Sequence, residues 1–177
     1  MRKFCLTIIV LAGFSKALFA QFGNCTASEM QTYTDRETGN TITILTDTLK
    51  NDRFLYQTDP MWTHDGKYLL FRSSSRANDK KIERTLPNGE KRSWTPTQIY
   101  FIEMATGQII QATEGPDLGS AFLANKSNRM FISRKEKEDW NMYVMDLDKF
   151  FADVKKGKVG KPTAYETLLG TFPTSMG

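Results

Sequence analysis

The side chains that could act on a ligand are mostly basic and fall in two short stretches. Arg53, Tyr56 and Gln57 form one; Arg72, Arg76, Lys80 and Lys81 form the other. A guanidinium offers a rigid fork of donors that matches a carboxylate with two parallel bonds, so this set suits an anionic, carboxylate-bearing ligand. Metal chemistry is thinly provided. The chain has one histidine, His64, and two cysteines, Cys5 and Cys25, whereas a metal held by imidazole or thiolate needs several such groups in convergence. His64 precedes Asp65-Gly66 and reads as a turn residue. Lys80, Lys81, Arg84, Lys91 and Arg92 read as a solvated charge run, whereas Arg53 and Tyr56, at the entry to a strand, read as ligand contacts.

The elements that must position these residues are strands. Residues 60–63 and 67–73 flank His64-Asp65-Gly66, and Asp-Gly supplies the positive φ of a tight hairpin. Gln98-Ile-Tyr-Phe-Ile-Glu-Met104, the turn Ala105-Thr-Gly107 and Gln108-Ile-Ile-Gln-Ala-Thr113 follow. The spacing predicts an antiparallel four-stranded sheet over 60–113 in sequential order, which is one blade of a β-propeller. Ile99-Tyr-Phe-Ile-Glu-Met104 is echoed 43 positions on by Met142-Tyr-Val-Met-Asp-Leu147, a period that matches propeller blades. Residues 120–131 echo 60–71 more weakly, with 125–128 in place of the Asp-Gly turn. Residues 72–97 read as an insertion with its own hairpin at Pro87-Asn-Gly89. Residues 149–156 read as a short helix ending at Gly157, and 158–177 as an outer strand with an irregular tail.

The expected class is therefore all-β, an incomplete β-propeller of about two to three four-stranded antiparallel blades. Thr41 to Thr46, with Ile42 and Ile44 alternating with threonines, is expected as an outermost strand. Closed propellers hold about four to eight blades, so the chain reads as the N-terminal portion of a longer protein. Trp62, Tyr68, Leu70 and Phe71 are expected to fill the interfaces between sheets, and Trp94 and Trp140 to pack near loops.

Residues 1–20 carry Arg2 and Lys3, then an apolar run over 4–14, then Ala20 before Gln21. That is the layout of a secretory signal peptide, and Ser15-Lys16 cuts the run too short for a span. Residues 21–58 then form a lead-in with the outermost strand, and 59–177 the blades. Export implies a secreted or periplasmic location. It also changes the charge: the chain has 24 Lys+Arg against 20 Asp+Glu, but Arg2, Lys3 and Lys16 lie in the leader, leaving 21 against 20. The basic balance therefore gives no reason to expect a nucleic-acid partner, and the mature form is expected to have no membrane span. Cys25 remains as a lone thiol without an internal disulfide.

The stretch Tyr33 to Thr46, then Arg53-Phe-Leu-Tyr-Gln57, then Met61-Trp-Thr-His-Asp-Gly-Lys-Tyr-Leu-Leu-Phe71 resembles the N-terminus of the oligogalacturonate lyases. Their pattern is Thr-Gly-x-x-(Val/Ile)-x-x-Leu-Thr, Arg-x-(Phe/Leu)-Tyr-Gln and Asp-Gly-x-x-Leu-Leu-Phe. TolB-type propellers share the Asp-Gly and Thr-Gly turns, so a non-catalytic TolB-like propeller binding glycan or protein is the alternative. The resemblance implies a seven-bladed polysaccharide lyase of pectin catabolism, cleaving oligogalacturonides by β-elimination. It implies manganese, held by histidines of later blades, that neutralises the uronate carboxylate. With His64 alone, no cofactor and no catalytic residue is expected in this chain. Its part would be to bind an acidic oligosaccharide through Arg53, Tyr56, Gln57, Arg72 and Arg76, because propeller geometry puts both basic stretches at one mouth.

Overall fold

The structure, a computed structural model, describes residues 22–77, 81–86, 88–115, 118–137 and 139–173. The expected leader at 1–20 and Lys80 lie outside these residues. No described helix is long and apolar enough to cross a membrane.

Among the described residues, thirteen strands and one α-helix follow in order. First come β1 (Cys25–Thr26), β2 (Gln31–Thr34), β3 (Thr41–Ile44), β4 (Asp52–Arg53) and β5 (Tyr68–Ser73). Next are β6 (Ile82–Thr85), β7 (Lys91–Trp94), β8 (Gln98–Glu103) and β9 (Ile109–Gln111). The last group is β10 (Leu118–Leu123), β11 (Arg129–Glu136), β12 (Asp139–Asp146), helix α1 (Leu147–Lys155) and β13 (Glu166–Pro173).

Two main sheets result. The first runs β1-β9-β8-β5-β4 and the second β10-β11-β12-β13, with every pairing antiparallel. Residues 61–63 lie along the start of β5, where Trp62 bridges Leu69 and the Leu70 N–H donates to the Met61 carbonyl at 2.7 Å. With that short inner strand the first sheet has the sequential blade order expected, and the second sheet is a further four-stranded blade. Turn chemistry sets both hairpins of the first blade. Gly66 and Gly107 take φ of +70° and +73°, a region that side chains with a Cβ avoid. The Asp65 carboxylate accepts from the Thr63 hydroxyl at 2.7 Å and the Lys67 N–H at 3.1 Å, closing the first turn locally.

The main core lies between the two sheets. Leu70, Ile99 and Phe101 of the first meet Met130, Ile132 and Met145 of the second, and all six are buried. Helix α1 closes this core. Asp146 caps it by accepting from the Lys149 N–H at 3.0 Å, and Leu147, Phe150, Phe151 and Val154 form a buried stripe at helical spacing. The Phe151 ring stacks on Tyr68 with centroids 3.6 Å apart. A carboxylate at the first turn and Gly157 with φ of +64° beyond the last explain where the helix starts and stops.

Two expectations are corrected. Residues 41–44 do not add to a blade as an outermost strand; they pair with β2 in a separate ribbon. Asp35 closes that ribbon, accepting from the Glu37 N–H and the Thr38 hydroxyl, each at 2.9 Å, so local closure outcompetes a distant partner. The outermost position belongs to β1, where Cys25 and Thr26 face Ile110 and Ile109. Trp62 is also not an interface residue, because it lies outward and exposed.

Candidate ligand-binding site

Alternation along two short strands builds the site. Asp52 pairs with Ser73 and Arg53 with Arg72, so Asp52 and Arg53 point to opposite faces of the first sheet. Arg53 and Arg72 share the face turned toward the second sheet. Both line a cavity of about 340 Å³ between the two blades, together with Asn51, Ser74, Trp94, Thr97 and Gly119. Among the described residues no acidic side chain lines this cavity. Like charges directly opposed across a ladder destabilise it, and among the described residues no carboxylate is paired with either guanidinium. Arg53 donates only from Nε, to the Asn51 side-chain oxygen at 3.3 Å. Two cations therefore face one space with no carboxylate paired to either among the described residues, an arrangement whose field attracts anions.

The cavity sits at the end of the strands opposite the hairpin turns. Turns 64–66 and 105–107 adjoin, since the Met104 N–H donates to the Lys67 carbonyl at 2.9 Å. The loops at the cavity end are tied to each other: the Asn51 N–H and side-chain amide donate to Ser75 at 2.8 Å and Ser74 at 2.7 Å. A buried relay behind the wall fixes β8. Thr113 donates to Gln98 at 2.8 Å, and Gln98 donates to the Gly115 carbonyl at 2.6 Å.

The other expected contacts go elsewhere. Tyr56 and Gln57 are exposed in the loop after β4 and do not line the cavity; buried Leu55 anchors that loop instead. Arg76 lies on the opposite face of the first sheet, with its guanidinium engaged by two carboxylates: Glu29 at 2.6–2.9 Å and Asp52 at 2.5–2.9 Å. Its side chain is 7% exposed, so it holds the fold rather than a ligand. The hydrogen bond from Arg76 is the main cause that lowers Glu29 to a pKa of about 2. Trp94, expected to pack, stands on the cavity wall and is 39% exposed. Its signal in the sequence was the Asn88-Gly89 turn, because the register of that hairpin decides which way Trp94 faces. Asn51, Ser74, Thr97 and Gly119 had no comparable signal.

The manganese implied by the resemblance does not fit the donors present. His64 lies at the turn end, where its Nδ1 donates to the Asn125 carbonyl at 3.0 Å and the adjacent Asp65 N–H donates to Asn128 at 3.2 Å. That arrangement joins the turns of the two blades. No three His, Cys, Asp or Glu side chains converge among the described residues.

No family model matches the sequence, and no curated protein matches it either. Solved structures do. An oligogalacturonate lyase in complex with manganese superposes with a TM-score of 0.52 at 22% identity, over 74% of this chain and 30% of that one. An oligogalacturonate lyase from Vibrio parahaemolyticus gives 0.51 at 23% identity, over 73% and 29%. The chain thus spans under a third of the structures it resembles, and over that part it has the fold of the oligogalacturonate lyases.

Proposed function

We propose that this chain is the N-terminal, substrate-binding portion of a secreted or periplasmic oligogalacturonate lyase-like protein of pectin breakdown. Its own task is to hold a uronate carboxylate between Arg53 and Arg72. The observation that carries this reading is the opposed pair of guanidiniums in a cavity where, among the described residues, no carboxylate pairs with them or lines the wall. A uronate carboxylate between them removes their mutual repulsion and gains charge-assisted hydrogen bonds. The fold it shares with the lyases supports the substrate class, and the layout of residues 1–20 supports export. Offsetting the charge on the carboxylate also favours loss of the neighbouring C5 proton, the first event of β-elimination. Among the described residues no three His, Cys, Asp or Glu side chains converge, and in this reading the chain binds while cleavage is left to the rest of the longer protein. The lone His64, engaged at the far end of the strands, likewise supports the second reading, a non-catalytic TolB-like glycan binder.

Calorimetry with trigalacturonate tests the binding. Removing a hydrogen-bonded charge partner costs about 1.5–3 kcal/mol, so Arg53→Ala and Arg72→Ala should each weaken binding roughly tenfold to a hundredfold. Unchanged affinity in both variants would refute the site. The purified protein should release no unsaturated uronate with or without manganese. Product formation that survives His64→Ala would refute the division between binding and cleavage.

A further inference from the structure

Among the described residues the insertion hairpin β6–β7 pairs only with itself, yet its last residue, Trp94, reaches the cavity wall. Its register places Ile82 opposite Trp94 and Arg84 opposite Arg92. Residues paired directly, and every second residue along each strand, share a face. One face therefore carries Ile82, Arg84, Arg92 and Trp94, while Glu83, Thr85, Lys91 and Ser93 take the other. The Arg84 guanidinium stands 5.8 Å from the Trp94 ring centroid, a cation–π contact that holds ring and charge together. Arg92 is partly compensated by Glu90 at 3.1 Å; among the described residues Arg84 has no carboxylate partner. Where the hairpin meets the Arg53–Arg72 cavity, an aromatic ring and a cation held over one of its faces thus stand together.

That pairing matches a sugar chain with one carboxylate per ring. The apolar side of a pyranose packs against an indole, and a carboxylate of the same chain meets the guanidinium held beside it. We propose that the β6–β7 hairpin is an outer subsite for an acidic oligosaccharide, in which Trp94 stacks on a sugar ring and Arg84 pairs with a carboxylate. The hairpin then makes the protein selective for oligomers over a single uronate. The proposal rests on the reading of Arg53 and Arg72 as the inner anion site and extends it along the insertion. It also gives the insertion a purpose beyond a solvated charge run.

The experiment is calorimetric titration of the protein with galacturonate and with trigalacturonate, using maltotriose as a neutral control. An aromatic stack and an exposed ion pair are each modest contributions, so trigalacturonate should bind about tenfold tighter or more than galacturonate. Trp94→Ala and Arg84→Gln should each bring that ratio toward one, and Trp94→Tyr should restore most of it, which a mere packing defect would not allow. The Arg84 contribution should shrink as salt is raised. Circular dichroism should be unchanged in both variants, because the hairpin stands apart from the two main sheets. A ratio that ignores Trp94 and Arg84 while Arg53→Ala still weakens binding overturns the outer subsite alone. Binding that also ignores Arg53→Ala overturns the inner site together with it.

Discussion

The outer faces of the two sheets differ in how they are covered. On the first sheet, Phe71, Tyr100, Ile102 and Ile109 point away from the central core and are nevertheless buried, because Met30, Leu45 and Met104 pack over them. Arg76 completes the cover, standing 5.3 Å from the Phe71 ring centroid while Glu29 and Asp52 hold its guanidinium. On the second sheet the corresponding face carries Phe122, Phe131, Trp140 and Phe172. Phe122, Trp140 and Phe172 are 39%, 36% and 52% exposed. A blade has two apolar faces and needs a neighbour on each. The first blade obtains one from its own lead-in, which the clasp fastens; the second has none among the described residues. The lead-in at 22–58 is thus a cover for the first blade as well as the route to Arg53.

The strongest test of the comparison removes the clasp. Replacing Arg76 with Met leaves the Glu29 and Asp52 carboxylates partly buried without their cation, and breaking such a pair costs about 3–5 kcal/mol. Urea unfolding of Arg76→Met should show a loss of that size. A loss below about 1 kcal/mol, the range of exposed ion pairs, would mean that the cover holds without the clasp.

Acid should open the same cover in a graded way. The folded protein holds Glu29 at about 2, against an ordinary value of 4.5. A carboxyl whose folded pKa is depressed adds stability above its unfolded value, and that stability is lost as pH falls from about 4.5 toward 2. The contribution is about 2 kcal/mol: each tenfold change in proton affinity is worth about 1.4 kcal/mol, and partial solvation of Glu29 trims the total. Stability measured against pH should fall through this window, and Glu29→Gln should start lower and show a flatter profile there. An equally steep profile in the variant would assign the acid sensitivity to other carboxylates, such as Asp65.

How much of this was legible in the sequence depended on whether the signal was local. Asp65-Gly66 and Thr106-Gly107 set the hairpins of the first blade, and alternation over 68–73 and 98–103 set its faces, so the blade could be read residue by residue. A short helix over 149–156 was also legible, but Leu147, read as the end of a strand, opens α1 instead. Thr41 to Ile44 were misplaced because an alternating strand carries no mark of its partner; the Asp35 turn decided that, and β1 is too short to carry a period. That Arg53 and Arg72 meet at one mouth was legible from propeller geometry. The same geometry failed at Arg76, because nothing in the sequence shows that Glu29, 47 positions earlier, reaches that guanidinium. Tyr56 stays outside the cavity because its neighbour Leu55 is the residue that turns inward.

The smallest effect is expected where the second sheet is bare. Phe122 lies against Phe131 with ring centroids 5.3 Å apart, and Phe172 faces Trp140 across β12 and β13, so exposed aromatic side chains stand at two places along this face. Such exposed apolar surface favours association of copies in solution, and β13 adds an edge strand beside it. Phe122→Thr with Phe172→Lys keeps strand-compatible residues, places a gatekeeper charge on the edge and removes little buried surface. Unfolding free energy should therefore change by no more than about 0.5 kcal/mol, as for ordinary surface substitutions. Light scattering should meanwhile show the double variant staying monomeric to higher protein concentration. A stability loss above about 1 kcal/mol, outside the range of surface changes, would show that this face is packed as firmly as the first and would remove the difference between the two sheets.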